Sequence, residues 1–273
     1  MFVNAVRTLA AAFLVIAAAG CEKRNLETGA LIDPPVLSDE QVARIASQKV
    51  FFGHQSVGNN IVQGIRELAS SDPRLKINIV KSADPQSVTM PAFVEFEIGQ
   101  NGDPQSKDDS FDRILAKGMG AQGGIAMYKY CYVDFDAGTD VGRMFEKYRA
   151  EIGALKAKYP ALQIVHITVP LTIAELAPKA WIKSVLGKTT SQDLDVKRNQ
   201  FNRLLRQTYA DSDPIFDLAK VESTHRDGSR SYFTRGGEII YTLAAEYASD
   251  GGHLNEAGRR AAAAELLQVL SKR

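Results

Sequence analysis

Three side chains from opposite ends of the 273-residue chain could together convert an alcohol into a nucleophile. Ser56 stands in "FFGHQSVGNN", between Gly53 and Gly58, and Asp250 and His253 stand three residues apart in "SDGGHLNEAGRR". A serine hydroxyl attacks a carbonyl effectively only beside a base. A carboxylate bonded to the imidazole Nδ1 leaves Nε2 free to act as that base. The residue types therefore predict a Ser56–His253–Asp250 triad, although either motif alone is more often a turn or a surface pair.

Such a triad needs a fold that brings the two ends of the chain together. The predicted strands are Lys49–Phe52, Leu75–Val80, Gly124–Phe135, Leu162–Pro170 and the short "PIFDL". Predicted helices follow Ser38 and Ser56 and begin near Thr139, at Asp193 and at Asn255. This alternation predicts a parallel sheet covered by helices on both faces. Because ligands collect at the carboxyl ends of parallel strands, Ser56 and the loop of His253 are expected at the same edge.

The composition limits the choice of partners. The chain has 33 basic and 32 acidic residues without a basic block, which disfavours a nucleic-acid partner. No pair of the four histidines has the spacing of zinc ligands, and neither a metal nor another cofactor is expected. With 45% hydrophobic residues, the segment 38–273 can bury one core and is interpreted as one domain. The oligomeric state stays open.

The N-terminus predicts export. Residues 1–20 contain an apolar run that is too short for a membrane span of ~20 residues but typical of a signal peptide. The following "AAGC" resembles a bacterial lipobox, which implies a lipid on Cys21, with simple cleavage near Ala19 as the alternative. Residues 21–37 are interpreted as a tether to the membrane. We therefore expect a periplasmic or outer-membrane-associated lipoprotein, in which Cys131 would be the one remaining thiol.

The chain resembles the SGNH, or GDSL-type, hydrolases in several blocks. "DGGHLNEAGRRAAAAELL" is similar to their C-terminal Asp-x-x-His block, Ser56 follows the first strand as their nucleophile does, and "GQNGDP" is similar to their second block. The resemblance implies a flavodoxin-like three-layer α/β/α sandwich with a central, mainly parallel sheet. It also implies a serine esterase without a cofactor, in which the N–H groups of Ser56 and Gly102 bind the oxyanion.

Two blocks depart from the family pattern. One residue more separates Gly53 from Ser56 than in Gly-Asp-Ser, and "CYVDF" keeps Asp134 but has Val133 where the family's oxyanion asparagine stands. Because valine cannot donate a hydrogen bond, another donor is expected. The nearby candidates are Gln55, Asn101, Lys129 and Tyr132. His54, beside the predicted nucleophile, is expected either to line the pocket or to cap a turn.

The substrate and even the class of activity stay open at this point. The resemblance and the predicted compartment favour an ester of a small molecule or carbohydrate, such as an acyl group on an envelope polymer. The alternatives are a polysaccharide O-acetyltransferase with the same triad and a non-catalytic carbohydrate- or envelope-binding lipoprotein. Tyr128, Tyr130 and Tyr132 alternate along a predicted strand and would share one face, for packing or for stacking on sugars. "TRGGEIIY" predicts a loop or hairpin.

Overall fold

The computed structural model describes residues 37–175 and 189–273. The strands are β1 (Lys49–His54), β2 (Ile79–Lys81), β3 (Ala92–Glu97), β4 (Gly124–Tyr128), β5 (Leu162–Ile164), β6 (His166–Ile167), β7 (Ile215–Phe216), β8 (Tyr232–Arg235) and β9 (Glu238–Tyr241). The helices are α1 (Asp39–Ala46), α2 (Val57–Ser71), α3 (Pro104–Ile114), α4 (Gly120–Gln122), α5 (Val141–Lys158), α6 (Ser191–Tyr209), α7 (Leu218–Ser223) and α8 (Glu256–Ser271). The predicted signal segment, Cys21 and nearly all of the predicted tether lie outside the described residues.

The central sheet is parallel, with the strand order β2-β3-β1-β4-β5. Beyond β5 the same extended segment continues: the Val165 N–H donates to the Ala126 carbonyl, and β6 then pairs in parallel with β7. If the short edge strand β2 is set aside, the strands follow one another in the 2-1-3-4-5 order of flavodoxin-like folds. The prediction of a central parallel sheet is thus confirmed.

Helices bury both faces of this sheet. Neighbouring residues of β1 point to opposite sides, so that Phe52 belongs to one apolar core and Phe51 to the other. The first core includes Ile61 of α2 and Leu266 of α8, and the second includes Phe201 of α6. The molecule is therefore a three-layer α/β/α sandwich.

The helices that follow the two predicted catalytic motifs pack directly against each other. A Cβ atom at Gly64 of α2 would lie 2.2 Å from the carbonyl oxygen of Arg259 of α8, so only glycine permits this approach. The Arg259 guanidinium also forms an ion pair of 2.7 Å with Glu67 of α2. This contact fixes the C-terminal helix beside the helix that begins after Ser56.

Several predicted element boundaries were wrong. The predicted strand Gly124–Phe135 ends at Tyr128, and Tyr132–Asp134 form a 3₁₀ turn. The strand predicted over Leu75–Val80 is confined to Ile79–Lys81. The strand predicted over Leu162–Pro170 ends at Ile167, and β3 was not predicted at all.

The prediction that three tyrosines share one face was also wrong. The Tyr128 and Tyr130 hydroxyls both donate to Asp108, whereas the Tyr132 ring meets His253. They separate because the chain leaves the sheet after Tyr128. "TRGGEIIY" does form part of a hairpin, β8–β9. Across the described ranges, every helix is too short or too polar to cross a bilayer.

Candidate active site

Ser56 lies between the end of β1 and the start of α2, at the carboxyl edge of the sheet. Its backbone has φ 53° and ψ −110°, and it is the one non-glycine residue with positive φ among those that the structure describes. Such conformations cost about 1–3 kcal/mol and occur preferentially at functional sites. Gly58 allows α2 to start this close to the strand, because a Cβ atom there would lie 2.3 Å from the Cβ of His54.

The structure brings Ser56, His253 and Asp250 together. The Ser56 Oγ lies 2.7 Å from His253 Nε2, and His253 Nδ1 lies 2.7 Å from Asp250 Oδ2. With Asp250 ionised, Nδ1 carries a proton and donates it, which leaves Nε2 to accept from the serine hydroxyl. The two distances thus describe a continuous path for proton transfer.

Asp250 is fixed as an anion by its own loop. Its Oδ1 accepts hydrogen bonds of 2.8 Å from the backbone N–H groups of Gly252 and His253. These backbone bonds, followed by the bond from the His253 side chain, lower the pKa of Asp250 to about 2. The carboxylate can therefore orient the imidazole and stabilise its protonated form at any pH well above 2.

A residue that the sequence analysis missed connects the loop of His253 to α2. Asn60 lies one helical turn after Ser56, and its Oδ1 accepts from the Leu254 N–H at 3.1 Å. On the other side, the Asn255 side chain caps α8 by accepting from the Gly258 N–H at 3.0 Å. The histidine is thus held between two helices. The second asparagine of "VGNN" was the available signal, but its partner lies 194 positions away.

The loop between β3 and α3 contains most of "GQNGDP" and is called the second-block loop here. A buried ion pair organises it. The Lys107 Nζ donates to both oxygens of Asp134 at 2.7 and 2.5 Å, and both side chains are fully buried. Asp134 also accepts from the N–H groups of Gly102 (2.8 Å) and Cys131 (2.6 Å). The Gly102 N–H therefore already has an acceptor, which differs from the predicted role of this group as an oxyanion donor.

Two of the proposed pocket residues are turned into the protein. His54 is fully buried, its Nε2 lies 3.0 Å from Glu95, and desolvation lowers its pKa. Lys129 is only 1% exposed, and its Nζ lies 3.4 Å from the sulfur of Cys131, a free buried thiol. Burial lowers the pKa of Lys129 as well. The structure thus places His54 and Lys129 in the core rather than at the pocket.

The remaining candidates differ in whether their hydrogen-bond donors already have acceptors within the protein. The Gln55 Nε2 donates to the carbonyls of Ile98 and Gly99, at 3.0 and 2.6 Å. Asn101 is exposed, and its Oδ1 accepts from Lys107 at 3.2 Å. Tyr132 is half-buried, and its ring packs edge-on against the His253 imidazole with 5.8 Å between centroids.

A cavity of about 620 Å³ opens beside Asp250, the acidic member of the triad. Its walls are mainly apolar, with a few polar groups, and they include Tyr132 and Gly252. Arg198 lies in the wall with its side chain 4% exposed, and it is used internally: its guanidinium donates to Asp195, to Thr172 and to the Tyr132 carbonyl. This volume is typical of small-ligand sites.

Known structures similar to this chain include GDSL-type lipolytic proteins. A Streptococcus pneumoniae protein, provisionally described as a platelet activating factor, is 14% identical with a TM-score of 0.49, over 85% of this chain and 91% of that one. A GDSL-like lipase from Bacteroides thetaiotaomicron is 12% identical with a TM-score of 0.44 (86% and 99%). The periplasmic domain of a lipopolysaccharide acetyltransferase from Salmonella Paratyphi A is 14% identical with a TM-score of 0.41 (83% and 86%). No family model and no curated protein matches the chain.

At these identities and TM-scores, only the side chains of the site indicate its chemistry. The site combines a serine in a strained turn, an imidazole positioned to accept its proton, and an ionised carboxylate behind the imidazole. These three groups in this order are those that acyl transfer through a covalent serine intermediate requires.

Proposed function

We propose that the protein is a serine esterase of SGNH type that hydrolyses an acyl ester through an acyl-enzyme. The observation that supports this most directly is the pair of 2.7 Å hydrogen bonds that joins Ser56 to His253 and His253 to Asp250. A non-catalytic binding protein would have no need for a strained serine beside a correctly oriented base.

In the proposed reaction His253 acts alternately as base and as acid, while Ser56 carries the acyl group. His253 Nε2 takes the proton of Ser56 as the Oγ attacks the ester carbonyl carbon. The tetrahedral intermediate collapses, and His253 gives the proton to the leaving alcohol. A water molecule, deprotonated by His253, then attacks the acyl carbon; as the bond to the Ser56 Oγ breaks, His253 returns the proton to that oxygen and the acid leaves. Asp250 stays ionised throughout and stabilises the imidazolium.

We propose that the substrate is an O-acyl group on a carbohydrate or envelope polymer. The adjoining cavity is large enough for a sugar ring or a short acyl chain, and its wall offers apolar side chains such as Val133 and Ile173 beside polar groups such as Thr172. Transfer of the acyl group to a second sugar hydroxyl instead of water would use the same acyl-enzyme. The choice between hydrolysis and transfer therefore depends on the acceptor.

Ester hydrolysis with and without an acceptor tests this proposal. Purified protein should release p-nitrophenol from p-nitrophenyl acetate, and Ser56→Ala should abolish the release. The matched control is Ser71→Ala, which removes an exposed hydroxyl at the far end of α2. With acetylated and unacetylated glycans present, free acetate as the product supports the esterase, and acetylated glycan supports the transferase. A folded wild type that gives neither product would refute both.

We further propose that the protein is exported and anchored through a lipid on Cys21. This rests on the apolar run and the "AAGC" motif alone. Expression in bacteria with labelled palmitate should label the wild type but not Cys21→Ser, and only the wild type should fractionate with membranes. Unlabelled wild type in the periplasmic extract would instead indicate cleavage by the ordinary signal peptidase.

A further inference from the structure

Acyl transfer through Ser56 requires hydrogen-bond donors for the oxyanion, and two expected donors are missing here. Val133 replaces the asparagine of the related enzymes and has no donor. The Gly102 N–H is bonded to the Asp134 carboxylate, which the buried Lys107 holds in place. The backbone N–H of Ser56 has no acceptor among the described residues, but one donor is fewer than such sites ordinarily contain.

Tyr132 is the polar side chain that the structure places against the reacting groups. Its ring lies edge-on to the His253 ring, and a Cβ atom at Gly252 would lie 2.7 Å from its Cε1, so the ring is packed directly on the loop of the base. Arg198 fixes this position, because its Nε donates to the Tyr132 carbonyl at 3.0 Å and its guanidinium lies 5.8 Å from the ring centroid.

The phenol is also in a suitable protonation state. Burial raises the pKa of Tyr132, and the Asp250 carboxylate raises it further, whereas an interaction with the Ser56 side chain lowers it. The net direction is upward, so the hydroxyl keeps its proton at neutral pH and can donate it.

We propose that the Tyr132 hydroxyl is the side-chain oxyanion donor, acting together with the Ser56 N–H in place of the missing asparagine. This inference rests on the proposed function, since it concerns the transition state of the same reaction. As the Oγ bonds to the carbonyl carbon, the carbonyl oxygen gains negative charge and accepts from the phenol. No proton is transferred to or from Tyr132 in this step.

The other candidates are less well placed. Gln55 already donates to two carbonyls, and Lys129 is buried beside Cys131. Asn101 is the rival, because it is exposed and its amide nitrogen has no hydrogen bond among the described residues. Among the described residues its side chain accepts a hydrogen bond from Lys107, whereas the Tyr132 ring contacts the histidine itself.

The test compares Tyr132→Phe with wild type on p-nitrophenyl acetate. Phenylalanine keeps the ring that packs on His253 and removes only the hydroxyl. We expect kcat to fall about 10²–10³-fold, as for loss of other oxyanion donors, with KM within about twofold and an unchanged melting temperature. The rate of reaction with a fluorophosphonate should fall in parallel, because phosphonylation also places charge on an oxygen. Tyr159→Phe, at the C-terminus of α5 and far from the site, is the control and should match wild type.

Each outcome decides the inference. A Tyr132→Phe variant with kcat within threefold of an active wild type overturns it, as does a loss that appears in KM rather than kcat. If Asn101→Ala shows the large loss in kcat instead, Asn101 is the donor. A folded wild type that neither hydrolyses esters nor reacts with the fluorophosphonate refutes the proposed function itself, and the role of Tyr132 with it.

Discussion

Replacement of Ser56 by glycine and by alanine separates the backbone strain at this residue from its proposed role as nucleophile. The residue is held at φ 53° and ψ −110°, a conformation that costs a residue with a Cβ about 1–3 kcal/mol. Glycine avoids this cost but loses about 0.5–1 kcal/mol through the greater entropy of the unfolded chain. Both variants lack the hydroxyl that bonds to His253, so that contribution cancels in the comparison.

The expected result is that Ser56→Gly is more stable than Ser56→Ala by about 1 kcal/mol, from the difference of these two contributions. Urea unfolding measures this directly, provided both variants unfold with the same m-value. Neither variant should hydrolyse esters. The control pair is Ser70→Gly and Ser70→Ala, in the last turn of the regular helix α2, where an exposed hydroxyl donates to the Arg66 carbonyl.

In the control pair the sign should be reversed, because glycine is less stable than alanine in a helix, by up to about 0.8–1 kcal/mol. Backbone strain at Ser56 is refuted if glycine at position 56 is also the less stable of its pair. In that case Ser56 would sit in an unstrained turn, and its backbone would give no sign of a functional site.

Three further changes test the site and its supports. Asp250→Asn should lower kcat on the order of 10³–10⁴-fold by disturbing the His253 tautomer, and a loss below tenfold would contradict the triad. Lys107→Met should lower the free energy of unfolding by about 3–5 kcal/mol, because Asp134 is left as a buried unpaired charge; a loss below ~1 kcal/mol would contradict the buried pair. Burial raises the pKa of Asp108 from 3.8 to about 7. Between those values the folded protein keeps a proton that the unfolded chain has released, so stability falls as pH rises. Asp108→Asn should remove up to about 1.4 kcal/mol per pH unit from this slope in urea unfolding, and an unchanged slope would contradict the assignment.

The sequence predicted the features that local patterns determine. The alternation of strands and helices was sufficient for the parallel sheet, and Asn255 at the start of the last helix appears as its cap. The motifs also predicted Ser56 and His253 at one edge of the sheet. Ser56 follows the first strand and His253 precedes the last helix, and ligands gather at the carboxyl ends of parallel strands.

Features that depend on distant partners were not predictable in this way. Strand β3 was missed because Glu95 interrupts the apolar run "AFVEFE"; the structure shows that this carboxylate is buried against His54 and bonded to Arg66. A charged residue in an apolar run argues against a buried strand unless the partners that neutralise it are known. His54 was left open between two roles for the same reason.

The partner of Gly102 was hidden by a similar difficulty. Its bond to Asp134 requires that the loop before α3 meet the turn after β4, and that Lys107 neutralise the carboxylate between them. The sequence shows that these three residues are present, but it does not show that they are in contact. The family resemblance pointed to Gly102 as a donor to substrate, whereas the contacts of this chain point to Tyr132.

The most direct measurement of the central claim is the site of reaction with a fluorophosphonate. Folded wild-type protein should gain the mass of one phosphonyl group at neutral pH, and peptide mapping should find it on Ser56. His253→Ala, which removes the base 2.7 Å from the Oγ, should react far more slowly, and Ser56→Ala should not react. Labelling at another residue, or labelling that is equally fast without His253, would contradict an activated serine at this site.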